Sequence, residues 1–362
     1  MGLPQVNIVF KTLGATAIQR GERGIVALLL KDTAALGPHI LTSITDIPAE
    51  LSDANKKQIE LAFIGGERTP NRVVVYVYDP NSTVTNGTPQ DAALNYLETV
   101  KFDYFAFPEI EEADKTKITT WIGLQRANGK MVKAVLPHHA ADKEYIINFT
   151  TDNIVVGETT YTTAQYCSRI AGLIAGTPLT ISTTFQPLSE VDSVQSYTKD
   201  QLNEAIDNGE FVIYHDGEKV KVGRGVTSLV TTTQDKGEDF KKIKIVDILD
   251  LIYMDIRKTI EDKYIGKYAN SYDNKVLLIQ AINAYYEQLE IDGLLDTGKN
   301  RAEIDLEEQR AYLKSIGVDV DSMKDHMKDQ EIKEANTRDK VFIFSRLRPL
   351  DAIEDVNMKV LI

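Results

Sequence analysis

The chain has 362 residues, 43% hydrophobic and 26% charged, a profile that fits a globular protein of about two domains with ample core. A net charge of −13 without a basic stripe argues against a nucleic-acid grip, and a lone cysteine, Cys167, excludes an intramolecular disulfide. No run of 18 apolar residues exists, and the start, with Pro4, Gln5 and Asn7, lacks a signal-peptide pattern, so neither a membrane span nor general secretion is expected.

Residues 1–20 pair a short alternating run, in which Val6, Ile8 and Phe10 are apolar, with a Thr/Ala/Gly stretch that has little to fold on its own. They read as an N-terminal arm. Residues 21–190 alternate strands and helices. Strands are expected at 24–30, 72–78, 104–107, 131–136 and 145–149, and helices at 53–64, from Pro89, at 113–127 and at 162–175. That alternation predicts a largely parallel sheet with packed helices, an α/β domain. Residues 191–345 read as a second, α+β domain. A helix over 199–208 closes at Gly209, and Asp216-Gly217 marks a hairpin. Two long helices follow, the first on Ile245, Leu249, Ile252, Ile256 and Ile260, the second on Val276, Ile279, Ile282, Tyr286 and Leu289. Residues 300–335 are acidic and loosely helical, and 341–344 is a strand.

Residues 346–362 form a C-terminal arm. Val356, Met358, Val360 and Ile362 alternate with Asn357, Lys359 and Leu361, the period of a strand. Chain ends are usually polar and frayed, and an unpaired apolar strand is a template for another chain. Either each end is an edge strand of its own sheet, or it is donated to a neighbouring subunit. Mildly basic ends around an acidic body weakly favour contact between copies.

No catalytic constellation converges. Gly293–Asn300 approaches a phosphate-binding loop, but Asn300 lacks the hydroxyl needed for magnesium, and the loop follows a helix rather than a strand. His138 and His139 are adjacent and would point apart, so a surface turn is expected rather than a metal site. Asp319, Asp321 and Asp325 lack the Gly and Glu of a calcium loop, having Lys324 and Gln330 there. Cys167 sits in an apolar helical pattern and reads as core. No cofactor and no metal are expected.

From Gly209 onward the chain resembles the contractile tail sheath family of phages and phage-tail-like bacteriocins. The segments that carry the resemblance are Val222-Gly223-Arg224-Gly225-Val226-Thr227-Ser228-Leu229, Asp239-Phe240-Lys241-Lys242-Ile243, Val246-Asp247-Ile248-Leu249-Asp250, Tyr264-Ile265-Gly266-Lys267-Tyr268 and Arg346-Leu347-Arg348-Pro349-Leu350-Asp351-Ala352-Ile353-Glu354. The opening Gly2-Leu3-Pro4 is similar too, and the length implies a compact sheath without inserted surface domains. The resemblance implies a two-domain sheath fold with strand arms at both ends, the inner domain facing a tube and the 21–190 domain facing outward. It also implies a homo-oligomer of stacked rings in a virion tail or bacteriocin particle, assembled in the host cytoplasm. Its partners would be tube, baseplate and tail terminator proteins, with no direct nucleic acid and no membrane insertion. The alternatives are another tail component, of tube or baseplate, and a cytosolic α/β enzyme.

Overall fold

The computed structural model describes residues 17–85, 87–320 and 329–361. The chain divides into two compact units. Among the described residues, one holds Gly21–Met254 and 351–361, and the other holds Asp255–Leu350 with 17–20.

The larger unit contains β1 (Ile25–Lys31), β2 (Gly37–Leu41), α1 (Asp53–Ile64), β3 (Arg72–Tyr78), α2 (Pro89–Leu97), β4 (Tyr104–Ala106), α3 (Glu112–Ala127), β5 (Lys133–Pro137), β6 (Ile146–Phe149), β7 (Ile154–Val156), β8 (Thr159–Tyr161), α4 (Thr163–Ala175), α5 (Lys199–Asp207), β9 (Glu210–Phe211), β10 (Ile213–His215) and β11 (Val220–Val222). Its main sheet has the order β2-β3-β1-β4-β5-β6-β9, parallel except where β2 runs against β3. A parallel sheet is covered on both faces, so its central strands are apolar throughout. In β1, Val26, Leu28 and Leu30 join one core with α1 and α4, while Ile25, Ala27 and Leu29 join the other with α2 and α3. Ser52, Thr88, Thr162 and Thr198 cap α1, α2, α4 and α5 by accepting a backbone N–H. Helices α1 and α4 cross closely at Gly172, where an added Cβ would lie 2.0 Å from the Ala62 carbonyl oxygen.

The smaller unit contains α7 (Tyr272–Ile291), β12 (Arg301–Ile304), α8 (Leu306–Ser315), α9 (Asp329–Glu334) and β13 (Ile343–Arg346). Helix α6 (Ile243–Thr259) begins in the larger unit and ends in this one. Strands β12 and β13 form a two-stranded antiparallel sheet. Leu313, Val320 and Ile332 make a small core, and the Gln309 amide donates to the Ile332 carbonyl there.

The break between units thus falls inside α6, not near residue 190. Two contacts extend the α/β unit past that point. Strand β9 continues the main sheet, Phe149 opposite Phe211, and the β10–β11 hairpin buries Ile213, Val220 and Val222 in the first core. The short β2, the β7–β8 hairpin and β12 were not expected, and the tract 300–335 holds β12 beside its helices. Residues 351–361 form neither helix nor strand.

Gly172→Ala should destabilise the larger unit by about 1–3 kcal/mol through overpacking against the Ala62 backbone. Urea unfolding measures this, and unchanged stability would show that the α1–α4 crossing is not tight.

Candidate assembly surface

The segments that carry the family resemblance meet in space. Asp247 and Asp250 of α6 lie across the starts of three neighbouring strands. Arg23, ahead of β1, pairs with Asp247. Tyr104, first in β4, donates to Asp247 Oδ1 at 2.6 Å, and Lys133, first in β5, lies 3.0 Å from the same oxygen and also pairs with Asp250. Arg126 of α3 grips Asp250 with both nitrogens, at 2.8 and 3.0 Å. Burial pushes the Asp247 carboxyl up, yet the Arg23 and Lys133 charges outweigh it and hold the group below the usual carboxylate range. Burial and the Asp247 charge push the Tyr104 phenol well up. The start of α6 is therefore fixed to the sheet by a buried, fully paired charge cluster.

A second set of charges roots the C-terminal arm. Arg224 lies 3.1 Å from Glu354 and 2.5 Å from Asp355, and Lys242 pairs with Asp351. The Ser182 and Thr184 hydroxyls donate to Glu354 Oε1 at 2.9 and 2.5 Å. Gly225 packs closely on the same loop: its N–H donates to Thr184 Oγ1 at 3.0 Å, and a Cβ there would lie 2.4 Å from Thr183 Oγ1. Beyond the root, Val356, Met358 and Val360 are 75%, 82% and 66% exposed. The backbone of 356–361 has no hydrogen-bond partner among the described residues. Val6, Ile8, Phe10 and Ile362, the other expected arm residues, lie outside the described residues, as do Asp321 and Asp325.

In the smaller unit, β13 presents an open edge. The Asp305 N–H bond to the Phe342 carbonyl sets the phase of the sheet, so alternate residues of the last strand face β12. Ile343, Ser345 and Leu347 then turn their N–H and C=O groups away, and these have no partner among the described residues. Past the strand, Arg348 N–H donates to Asn300 Oδ1 at 2.7 Å, and Leu350 N–H to the Leu294 carbonyl at 2.9 Å.

The Gly293–Asn300 loop already holds a carboxylate of its own. Glu290 of α7 fills it, accepting from Gly298 N–H at 3.0 Å and from the Asn300 amide at 2.7 Å. A carboxylate held there repels a phosphate. The two histidines diverge as expected: His138 Nε2 lies 3.1 Å from Asp152, and His139 Nε2 lies 2.9 Å from Thr119 Oγ1. Cys167 is buried, its thiol pushed up by burial, with Sγ 3.3 Å from the Thr163 carbonyl. Among the described residues no group of three His, Cys, Asp or Glu side chains could hold a metal, and no helix is long and apolar enough to cross a membrane.

A doubly covered α/β body, an anchored but unpaired apolar tail and an open strand edge define the chain as an assembly subunit. Comparison with known proteins names the family. Residues 72–228 match the central domain of phage tail sheath proteins, and residues 235–362 match the phage tail sheath C-terminal domain. The tail sheath protein of Clostridium phage phiCD119 is 41% identical over 365 residues, spanning 99% of each chain. The sheath tail protein of Desulfitobacterium hafniense shares the fold at 20% identity, with a TM-score of 0.68 over 83% of this chain and 94% of that one. The helical sheath of the anti-feeding prophage, in its contracted state, does so at 15% identity and a TM-score of 0.71, covering 100% and 99% of the two chains. The chain belongs to the phage tail sheath family, and it is a structural component of a phage tail or phage-like particle.

The charge cluster gives a test in pH. Folding lowers the Asp247 pKa, so its contribution is full above about pH 4 and is lost as pH falls through the lower folded value. Lys133→Met leaves two buried carboxylates short of a cation and should cost about 3–5 kcal/mol at pH 7 in urea unfolding. The deficit should shrink below about pH 4, as the Asp247 carboxyl becomes protonated and no longer needs the ammonium. A loss at pH 7 within the roughly 0.5 kcal/mol of a surface change would refute the cluster's role.

Proposed function

We propose that copies of this chain polymerise as a helical cylinder of stacked rings around a tail tube, and that shortening of the cylinder drives the tube through a target cell envelope. One observation carries the reading: among the described residues a single chain holds both an unpaired segment at 356–361 with exposed, alternating apolar residues and an unpaired strand edge at β13. The tail of one copy adds to the β13 edge of another, and the N-terminal run Val6, Ile8 and Phe10 serves as a second donated strand. Main-chain pairing of this kind persists while the folded bodies rotate. Contraction then needs no ATPase if each subunit prefers its contracted contacts by a few kcal/mol, summed over many copies. Tube, baseplate and terminator proteins are the partners. The role is structural rather than enzymatic, a reading supported by Glu290 in the one loop that resembled a nucleotide site.

Removing Val356–Ile362 while keeping the Glu354 root should leave a folded subunit with unchanged melting that forms no cylinders by electron microscopy. Val360→Asp should weaken assembly in the same direction. Unfolding of the truncated subunit would place the tail in its own core, and normal cylinders would make it dispensable.

We further propose that the smaller unit faces the tube and the α/β unit faces outward, an orientation that sets the strand joints at β13 on the tube side. Lysine-directed labelling of intact particles should then modify Lys57 and Lys143 far more than Lys263 and Lys299, all of which are exposed in the free chain. Equal labelling would count against it.

A further inference from the structure

We propose that Asn283 closes the β12 side of the two-stranded sheet, so that a donated tail can enter only along β13. The inference rests on the strand-donation reading and adds a direction to it.

A two-stranded sheet has two edges, and each is a template for addition. Here they differ. Asn283 projects from α7 onto the middle of β12, where its Nδ2 donates to the Ala302 carbonyl at 3.0 Å and its Oδ1 accepts from Ala302 N–H at 2.7 Å. One side-chain amide thus occupies both backbone groups that an incoming strand would use. It does so at a residue whose groups face away from β13, since Arg301, Glu303 and Asp305 take the inward phase. Helix α7, which carries Asn283, packs against β12 and so holds the amide in place. On the far side nothing among the described residues competes: the outward groups of Ile343, Ser345 and Leu347 have no partner among them, and Pro349, which has no N–H, ends the run. The sheet can therefore grow outward from β13 only. A second donated strand has to pair on the first, which orders the two joints in assembly.

The test uses the assembled full-length chain. Adjacent strands lie about 4.8 Å apart, and next-nearest ones about 9.6 Å, whereas a disulfide needs Cβ atoms about 3.5–4.5 Å apart. Glu303 of β12 and Phe344 of β13 sit opposite one another on the exposed face, so either accepts a cysteine without disturbing the core. Single cysteines are placed in turn at Asn357, Met358, Lys359 and Val360, each combined with Phe344→Cys or Glu303→Cys, and cylinders are oxidised and run on a non-reducing gel. Cys167 is buried and stays silent. The expected result is intersubunit cross-linking to position 344 and none to 303, with Asn283→Ala admitting cross-links at 303. Cross-linking to 303 in the native background would overturn the closure by Asn283 while leaving donation intact. An Asn283→Ala pattern still confined to 344 would show that α7 alone, not the amide, closes that side. Intact cylinders without cross-links at either position would overturn donation into this sheet altogether.

Discussion

The structure turns on Asp247 and Asp250 of α6 and the three cations that meet them. Two carboxylates cannot be taken from water without partners, and here Arg23, just ahead of β1, Lys133 of β5 and Arg126 of α3 supply them. Such a cluster adds little net stability over a well-packed apolar one, because desolvation offsets most of the attraction. What it does is fix geometry. A greasy helix face can slide over a sheet, but a bidentate guanidinium on one carboxylate and an ammonium shared between two cannot. The start of α6 is thereby locked to the strands of its own unit.

The arm root works by the same chemistry at lower burial. Glu354 is nearly buried and carries two hydroxyl donors as well as Arg224, so it is the firm point. Asp355 lies at the surface, where an ion pair contributes little. The chain is thus held up to Glu354 and released just beyond it. For the segment that follows, each main-chain bond made on donation gives about 0.5–1.5 kcal/mol, and each buried apolar side chain about 1.5–3 kcal/mol. Ordering it costs about 1–2 kcal/mol per residue, which cancels much of the gain. A joint with so small a surplus is reversible singly and firm only when repeated through a lattice.

Much of this was legible in the sequence, for identifiable reasons. The strands of the parallel sheet are apolar on both faces, and their helices begin at Ser or Thr caps, so 53–64, 72–78 and 162–175 could be read almost to the residue. The hidden parts lacked a local signal. Gly37-Pro38-His39 has neither alternation nor β-formers, and becomes β2 only because β3 lies beside it. In β12 the alternation of buried Ala302 and Ile304 with exposed Arg301 and Glu303 was present, but it spans four residues inside an acidic tract. No residue marks the break between units, because a helix runs through it. The partners of Asp247 and Asp250 are 114 (247 − 133) to 224 residues distant, so the sequence displays the carboxylates without their cations. The arm pattern was visible, but a pattern fit for pairing does not say with what.

Open strand edges are hazards, and the way this chain treats them separates accident from design. Edge strand β2 carries Pro38, which cannot donate, and the opposite edge of the main sheet, β9, is two residues long. Strand β12 is closed by an amide from α7. The tail itself interleaves Asp355, Asn357 and Lys359 with its apolar residues, which keeps it hydrated while free. Against that background the unblunted edge of β13 is the exception. It sits in the unit whose next residues, Arg348 to Leu350, are held to the loop at 294–300 by backbone bonds, so the edge is rigid before any partner arrives. A rigid edge spares the acceptor any ordering cost and leaves that cost to the donated tail alone.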